Sequence, residues 1–342
     1  MKRVNESFAL GKLKHDYLAQ LLSNIEIQDS RVIQGSKIGE DAAVIDIPGE
    51  NYLVAKTDPI TFATDEVGYY SVIVNVNDLV CTGAKPKWFQ STILLPEKLT
   101  TSEMIDKIFK NIHDTCKKLD ITVVGGHTEI TPKLDRPIVV GSLIGEVPKD
   151  KLVLTSGAEP GDALILTKGI FIEGTSIIGR EKEKELIDYG LDENFIKRCQ
   201  DYLFNPGICV LKDALLANNN FRIKSCHDAT EGGVAMAIAE MTIASNTGVT
   251  IEEEKILVLP EPKILSEIFN IDPYNTISSG SLLIAVNQED SSGLIDLLRR
   301  NKIFAEEIGI FTSKDKGLLV KKEDGTKQLL KYTATDEITK LF

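Results

Sequence analysis

"GYYSVIVNVNDLVCTGAKP", residues 68–86, decides how the chain is read. Its valines favour a strand by propensity. Yet Val72, Val76, Leu79 and Val80 share one helical face, and Gly83 followed by Pro86 is a helix stop signal. The segment is therefore read as a helix. That places Asn75, Asp78 and Thr82 on one polar stripe of an otherwise apolar helix. Such a stripe faces either water or a ligand.

The flanks supply the rest of an α+β pattern. Helices are predicted over residues 12–25 and 101–119, the second opened by a capping box of Thr100 and Glu103. Ile105, Ile108, Phe109, Ile112, Cys116 and Leu119 form its buried face, with His113 at the edge as a structural residue. Residues 42–60 read as two strands around the turn Pro48-Gly49-Glu50-Asn51. A strand at 121–124 leads into VVGGHTEIT (123–131), and another strand covers 137–145. EVPKDKLVLTSGAEPGD (146–162) is rich in Pro, Gly and charge, so domains are expected at 1–150 and 151–342. The second half begins with a strand at 163–167 and the loop KGIFIEGTS. Further on, CHDATEGGV opens a helix at 234–245, and a hairpin turns at Glu323-Asp324-Gly325. Sustained βαβ alternation is lacking, which favours α+β over a doubly wound sheet.

Bulk properties narrow the function. The 342 residues suffice for two ordinary domains, and 42% hydrophobic content fits a packed globular protein. A net charge of −12 argues against broad binding to nucleic acid or anionic membranes. A small anionic substrate stays open, because a divalent cation reverses the local sign. Five cysteines without a CxxC pair support neither a zinc site nor a disulfide framework. MKRVNESFALGKLKHD lacks the apolar core of a signal peptide, and no apolar run nears the roughly 20 residues of a membrane span. A reduced, cytoplasmic protein is expected.

Several short groups carry possible chemistry. GEDAAV (39–44) puts Asp41 before an apolar strand, and KTDPIT (56–61) ends another with Lys56, Thr57 and Asp58. Asp78, His127-Thr128-Glu129 and HDATEGG (227–233) complete the set. Each has a plain reading: solvated turns for Asp41 and Asp58, and capping-box spacing for Asp228 and Glu231. Together they suggest more. If the fold gathers Asp41, Asp58, Asp78 and Asp228, their repulsion must be relieved by protons or cations. Carboxylates suit Mg²⁺, which bridges to phosphates. Glycine pairs at 125–126 and 232–233 would let backbone N–H groups approach an anion. This points to ATP·Mg without a Walker loop, since no GxxxxGK[S/T] occurs. Lys56 is read as a phosphate contact.

At VNDLVCTGAKPKWF (76–89) the chain resembles the aminoimidazole ribonucleotide synthetase (PurM-like) superfamily. GEDAAV, GGHTE and HDATEGGV are similar to that superfamily's other elements and occur in the same order over nearly the whole chain. ISSGSLLIAV and HDATEGGVAMAIAE sit closest to its hydrogenase expression/formation (HypE) branch, with thiamine-monophosphate kinase also similar.

The resemblance implies PurM N-terminal-like and C-terminal-like domains, a homodimer, and ATP with Mg²⁺ between the domains. It places Asp41, Asp58 and Asp78 at the metal and phosphates, with Thr57 and Asp228 nearby. Asp58 and Asp78 are the expected catalytic acids, and Asp228 joins the expected metal set. Gly125, Gly126 and Thr128 match the nucleotide loop, where His127 stands in place of an acid. The implied chemistry is phosphoryl transfer from ATP to the oxygen of an amide or carboxamide, on a small molecule or a partner protein. This chain departs from the pattern in ending DEITKLF without a terminal cysteine, in Ser278-Ser279-Gly280-Ser281, and in Thr230-Glu231-Gly232-Gly233 where the branch has Thr-Arg-Gly-Gly. A nucleotide-gated accessory protein and a thiamine-monophosphate kinase are the alternatives.

Overall fold

The computed structural model describes residues 13, 15–61, 63, 65–333 and 335–342. A short helix α1 (His15–Leu22) covers part of the predicted 12–25 helix; residues 12 and 14 of that prediction lie outside the described set. The first sheet holds β1 (Val32–Gln34), β2 (Ala43–Asp46), β3 (Asn51–Ile60), β4 (Lys85–Pro96), β5 (Thr122–Thr131) and β6 (Ile138–Pro148). Its order is β1-β2-β3-β6-β4-β5. The predicted hairpin is there: β2 and β3 run antiparallel, with Ala43 opposite Ala55.

Helix α2 (Val67–Cys81) forms from the valine-rich segment, as its periodicity predicts, and packs on β3, β6 and helix α3 (Ser102–Lys118). An amphipathic helix shows one apolar stripe; this one is buried nearly all round, as expected for a central helix. Its far side meets the second half of the chain, where Leu79 and Val80 share one core with Ile208, Val210 and Ile223.

Asn77 fixes that contact. Its side-chain amide donates to the Ile208 carbonyl (2.8 Å) and accepts from the Val210 N–H (2.9 Å). Glu40 makes a second clamp by accepting the backbone N–H groups of Thr155 and Ser156. Buried bonds of this kind hold the two sheets in one orientation, since breaking either strands a desolvated group.

The second half contains α4 (Ile172–Glu181), α5 (Glu183–Asp188), α6 (Glu193–Asp201), α7 (Leu211–Asn220), α8 (Gly233–Ser245), α9 (Pro260–Phe269) and α10 (Gln288–Arg300). Its sheet is built from β7 (Ala163–Thr167), β8 (Ile223–Asp228), β9 (Gly248–Glu252), β10 (Leu282–Val286), β11 (Ala305–Thr312), β12 (Leu318–Lys321) and β13 (Lys327–Leu329). The order is β13-β12-β9-β11-β7-β10-β8, antiparallel apart from the β9–β12 pair. Mixed helix and sheet of α+β type is what the sequence predicted.

Four local readings are corrected. The cap of α3 is Thr101, whose hydroxyl accepts from Met104 N–H, while Thr100 bonds back to the Pro96 carbonyl. Phe109 on the same helix is 50% exposed, because the apolar stripe is narrower than the periodicity implied. Helix α4 begins inside the predicted KGIFIEGTS loop, after Phe171 takes a left-handed turn. The cap of α8 is Gly232 at φ 79, so Asp228 and Glu231 do not form a capping box.

Candidate functional site

Two adjacent residues on the extended chain point to opposite faces of a sheet. On β3, Lys56 and Asp58 therefore share one face and Thr57 takes the other. The face carrying Lys56 and Asp58 opens into a cleft of about 560 Å³ between the two halves. Asp41 enters it from the loop before β2, and Asp78 from α2. Lys56 Nζ lies 2.7 Å from Asp78 and 3.3 Å from Asp58. Behind them, the end of β8 brings His227 and Asp228. His227 Nδ1 is 3.2 Å from Asp41, and Nε2 is 3.0 Å from Glu240 on α8.

The electrostatics follow from crowding. Burial disfavours the ammonium of Lys56, but Asp78, Asp41 and Asp58 around it hold it charged beyond the ordinary range. Burial raises the Asp78 carboxyl well above its usual value, with Lys56 working against the rise and Asp228, Asp41 and Asp58 adding to it. Asp228 is raised by the same burial, with His227, Asp78 and Lys56 working against the rise and Asp41 adding to it. Asp228 Oδ2 has no hydrogen-bond partner among the described residues. A carboxyl pair this close needs a proton or an incoming cation. His227 resists burial: Asp41 and Glu240 lift its value to about 10, so it is an imidazolium. Cys81 stands 4.0 Å from Asp228 with Cys226 beside it, two cysteines distant in sequence that meet in space.

The polar stripe of α2 faces neither bulk water nor, as a whole, a ligand. Asn75 donates to the Ser71 carbonyl and Thr82 to the Leu79 carbonyl, both within the helix. Asp78 is the member of the stripe that lines the cleft.

The other end of the cleft is lined by Tyr70, Glu173, Ile177, Glu231, Ile277 and Ser279. Glu173 is buried in the first turn of α4, and its Oε2 has no hydrogen-bond partner among the described residues. Burial carries this carboxyl up to about 7, with Ser279 pulling it down and Asp336 and Glu231 adding to the rise.

The expected nucleotide loop is placed elsewhere. Residues 123–131 belong to one continuous strand, β5, paired in parallel with β4 at the exposed edge of the first sheet. Gly125, Gly126, His127 and Thr128 do not line the cleft. A Cβ at Gly126 would sit 2.4 Å from the Ser91 carbonyl oxygen, so this glycine serves strand packing. A Cβ at Gly125 would meet nothing. His127 is exposed and pairs with Glu129 at 3.2 Å. Thr57 is likewise outside the cleft; its hydroxyl donates to the Gly141 carbonyl on the opposite face.

Of the residues expected at the site, Asp41, Lys56, Asp58, Asp78 and Asp228 gather. Thr57, Gly125, Gly126, His127 and Thr128 do not. Sequence reasoning assigned no role to His227, Glu240, Glu173 or Ser279. His227 was adjacent to Asp228 in a quoted motif, but Glu240 and Glu173 sit in helices whose partners only the fold reveals. Among the described residues no three His, Cys, Asp or Glu side chains stand as a finished metal cage, because Lys56 occupies the space between Asp58 and Asp78.

The chain matches two family models: AIR synthase related protein, N-terminal domain, over residues 39–147, and AIR synthase related protein, C-terminal domain, over 159–322. The chain belongs to the AIR synthase-related family. Among its relatives, a protein of Methanocaldococcus jannaschii described as a hydrogenase expression/formation protein is 29% identical over 329 residues, covering 94% of each chain. A selenide, water dikinase of the same organism is 26% identical, covering 89% of this chain and 88% of the relative. Two solved structures share the fold. The hydrogenase maturation protein HypE in complex with ATP superposes with a TM-score of 0.66 at 19% identity, covering 94% of this chain and 98% of that one. AaThiL complexed with AMPPCP and TMP gives 0.70 at 20%, covering 93% and 94%. Among the described residues, no helix is long and apolar enough to cross a membrane.

Proposed function

We propose that the cleft binds ATP with Mg²⁺ and transfers its terminal phosphoryl group to the oxygen of a small or protein-borne acceptor, in the manner of an AIR synthase-related, HypE-like enzyme. The observation that carries this reading is the gathering of Asp41, Asp58, Asp78 and Asp228 around Lys56 at one end of an open cleft. The ATP-bound HypE and the AMPPCP-bound AaThiL, similar in fold, support it. The nucleotide would lie between an N-terminal domain at 1–150 and a C-terminal domain at 151–342.

The residues fit a hard divalent ion. Asp228 carries a buried oxygen without a hydrogen-bond partner among the described residues, and burial raises both Asp78 and Asp228, a cost that an incoming cation would relieve. Mg²⁺ needs only one or two carboxylates when phosphates complete its shell, so a finished protein cage is not required. Asp41, Asp58, Asp78 and Asp228 are the residues that would hold it, and when bound it would supply neutralisation of phosphate charge. Lys56 adds a fixed cation that stays protonated and can reach a phosphate oxygen, provided it leaves Asp58. His227, pinned between Asp41 and Glu240, fixes the position of the Asp41 carboxylate.

The β5 edge supports a homodimer. Val123, Val124 and Ile130 are exposed on a strand with one unpaired edge. Such an edge invites pairing with another chain. A second copy docked there could bring GGHTE to the partner's nucleotide, which would reconcile this motif with its place outside the cleft of its own chain.

Calorimetry with a non-hydrolysable ATP analogue tests the proposal. Binding should require Mg²⁺ and should weaken about a hundredfold in Asp58→Asn and in Asp78→Asn, the range expected when a charged contact is lost. Unchanged affinity in both variants would overturn it.

A further inference from the structure

We propose that the Glu173 end of the cleft is the acceptor-recognition site, and that it takes a cationic head rich in N–H donors, of the amidinium or ammonium class, carried on an apolar body. The word "acceptor" rests on the phosphoryl-transfer reading; binding of such a ligand does not.

A first-turn glutamate has an ordinary explanation, since an acid is favoured near a helix N-terminus. That explanation places the carboxylate in water. Glu173 is instead 5% exposed, lines the cleft, and leaves Oε2 without a hydrogen-bond partner among the described residues. Ser279 is 1% exposed, lines the same wall, and stands beside Glu173, where it pulls that carboxyl down. Glu173 Oε2 is thus a buried acceptor position awaiting a donor, and the Ser279 hydroxyl beside it can donate or accept.

The sign of the ligand follows from what surrounds them. Glu231 shares the lining and Asp336 lies beside it, so an anion would meet several carboxylates. The one cation among the described lining residues is Lys56, already engaged by Asp58 and Asp78 at the far end. Ile60, Tyr70, Ile177 and Ile277 supply apolar walls between the two ends. A ligand with a planar N–H pair at its tip and a hydrophobic body would satisfy Glu173 and Ser279 while covering those walls.

The geometry also gives a pH dependence. The Glu173 carboxyl is carried up to about 7 by burial, and Asp336, Glu231 and the Tyr70 phenol all face it. A cation binds the ionised form, so affinity should grow as pH rises through that value.

Benzamidine, with benzamide and benzoate as its neutral and anionic isosteres, tests this by calorimetry on the full chain. Benzamidinium should bind more tightly than either isostere, with affinity rising between about pH 6 and pH 8. Glu173→Gln should weaken it about tenfold or more, the value of a buried charge-assisted contact. Should that variant fail to fold, Glu173→Asp, which keeps the charge but withdraws it by one methylene, should weaken binding several-fold. Benzoate binding as well as benzamidinium, or unchanged benzamidinium affinity in the folded variant, overturns the proposal. Nucleotide binding is read separately: its absence alongside Glu173-dependent benzamidinium binding would sink the phosphoryl-transfer reading and leave this site standing.

Discussion

The cleft and the β5 edge carry the two sets of residues that looked most like chemistry, and the fold treats them in opposite ways. In the cleft, acids separated by more than half the chain are brought together, and two of them, Asp78 and Asp228, are stripped of water. Their charge is opposed by Lys56 and His227. On β5, His127, Thr128 and Glu129 are neighbours in sequence, but each stands in solvent and meets little beyond its own strand. Proximity in sequence is thus a poor guide to shared environment. Desolvation, which gives a carboxylate unusual chemistry, is conferred by distant segments closing over it.

The contrast can be broken experimentally. The largest effect is expected from Lys56→Met, which leaves buried acids without their cation. Unfolding by denaturant should show a loss of about 3–5 kcal/mol, and a loss under 1 kcal/mol would mean the cluster carries no such tension. Next is the His227 imidazolium. Its value in the fold lies near 10 against 6.5 for the free side chain, so the folded state holds a proton that the unfolded chain releases. Stability from this group is complete below about pH 6.5 and is lost as pH climbs toward 10. Melting curves of the wild type should therefore fall over that window by an amount on the order of a few kcal/mol. Those of His227→Gln should be flatter, and parallel curves would rule the mechanism out.

Smaller effects sharpen the other side. Gly126→Ala drives a Cβ toward the Ser91 carbonyl and should cost about 1–3 kcal/mol, whereas Gly125→Ala should change stability by less than about 0.5 kcal/mol. Equal effects at the two glycines would contradict strand packing as the reason for Gly126. The smallest is His127→Ala: an exposed pair with Glu129 is worth little, and the melting temperature should barely move. Were nucleotide affinity to fall in that variant at protein concentrations where the chain self-associates, a role across the dimer would be indicated.

Much of the fold was legible from local pattern. The β2–β3 hairpin followed from alternation and turn residues, and α2 from periodicity overriding valine propensity. Of the VND sequence, Val76 was legible as core and Asp78 as a possible site residue. The clamp made by Asn77 on residues 208 and 210 was not, because nothing near it in sequence names its partner. The glycine pair at 125–126 misled for a complementary reason. A glycine needed for close approach looks the same whether the approaching group is a ligand or the neighbouring strand.

Local pattern was enough for the α+β class, for many of the helices and strands, and for a set of candidate carboxylates that lacked Glu173 and Glu240. Those features depend on period, propensity and spacing, which are local. It took the packed fold to bring four acids around one lysine, to set His227 between Asp41 and Glu240, to leave GGHTE on an outer edge, and to place Glu173 in a cleft with its Oε2 lacking a hydrogen-bond partner among the described residues. Each of these depends on which surfaces lose their water together, and that is settled only when the two sheets close around α2.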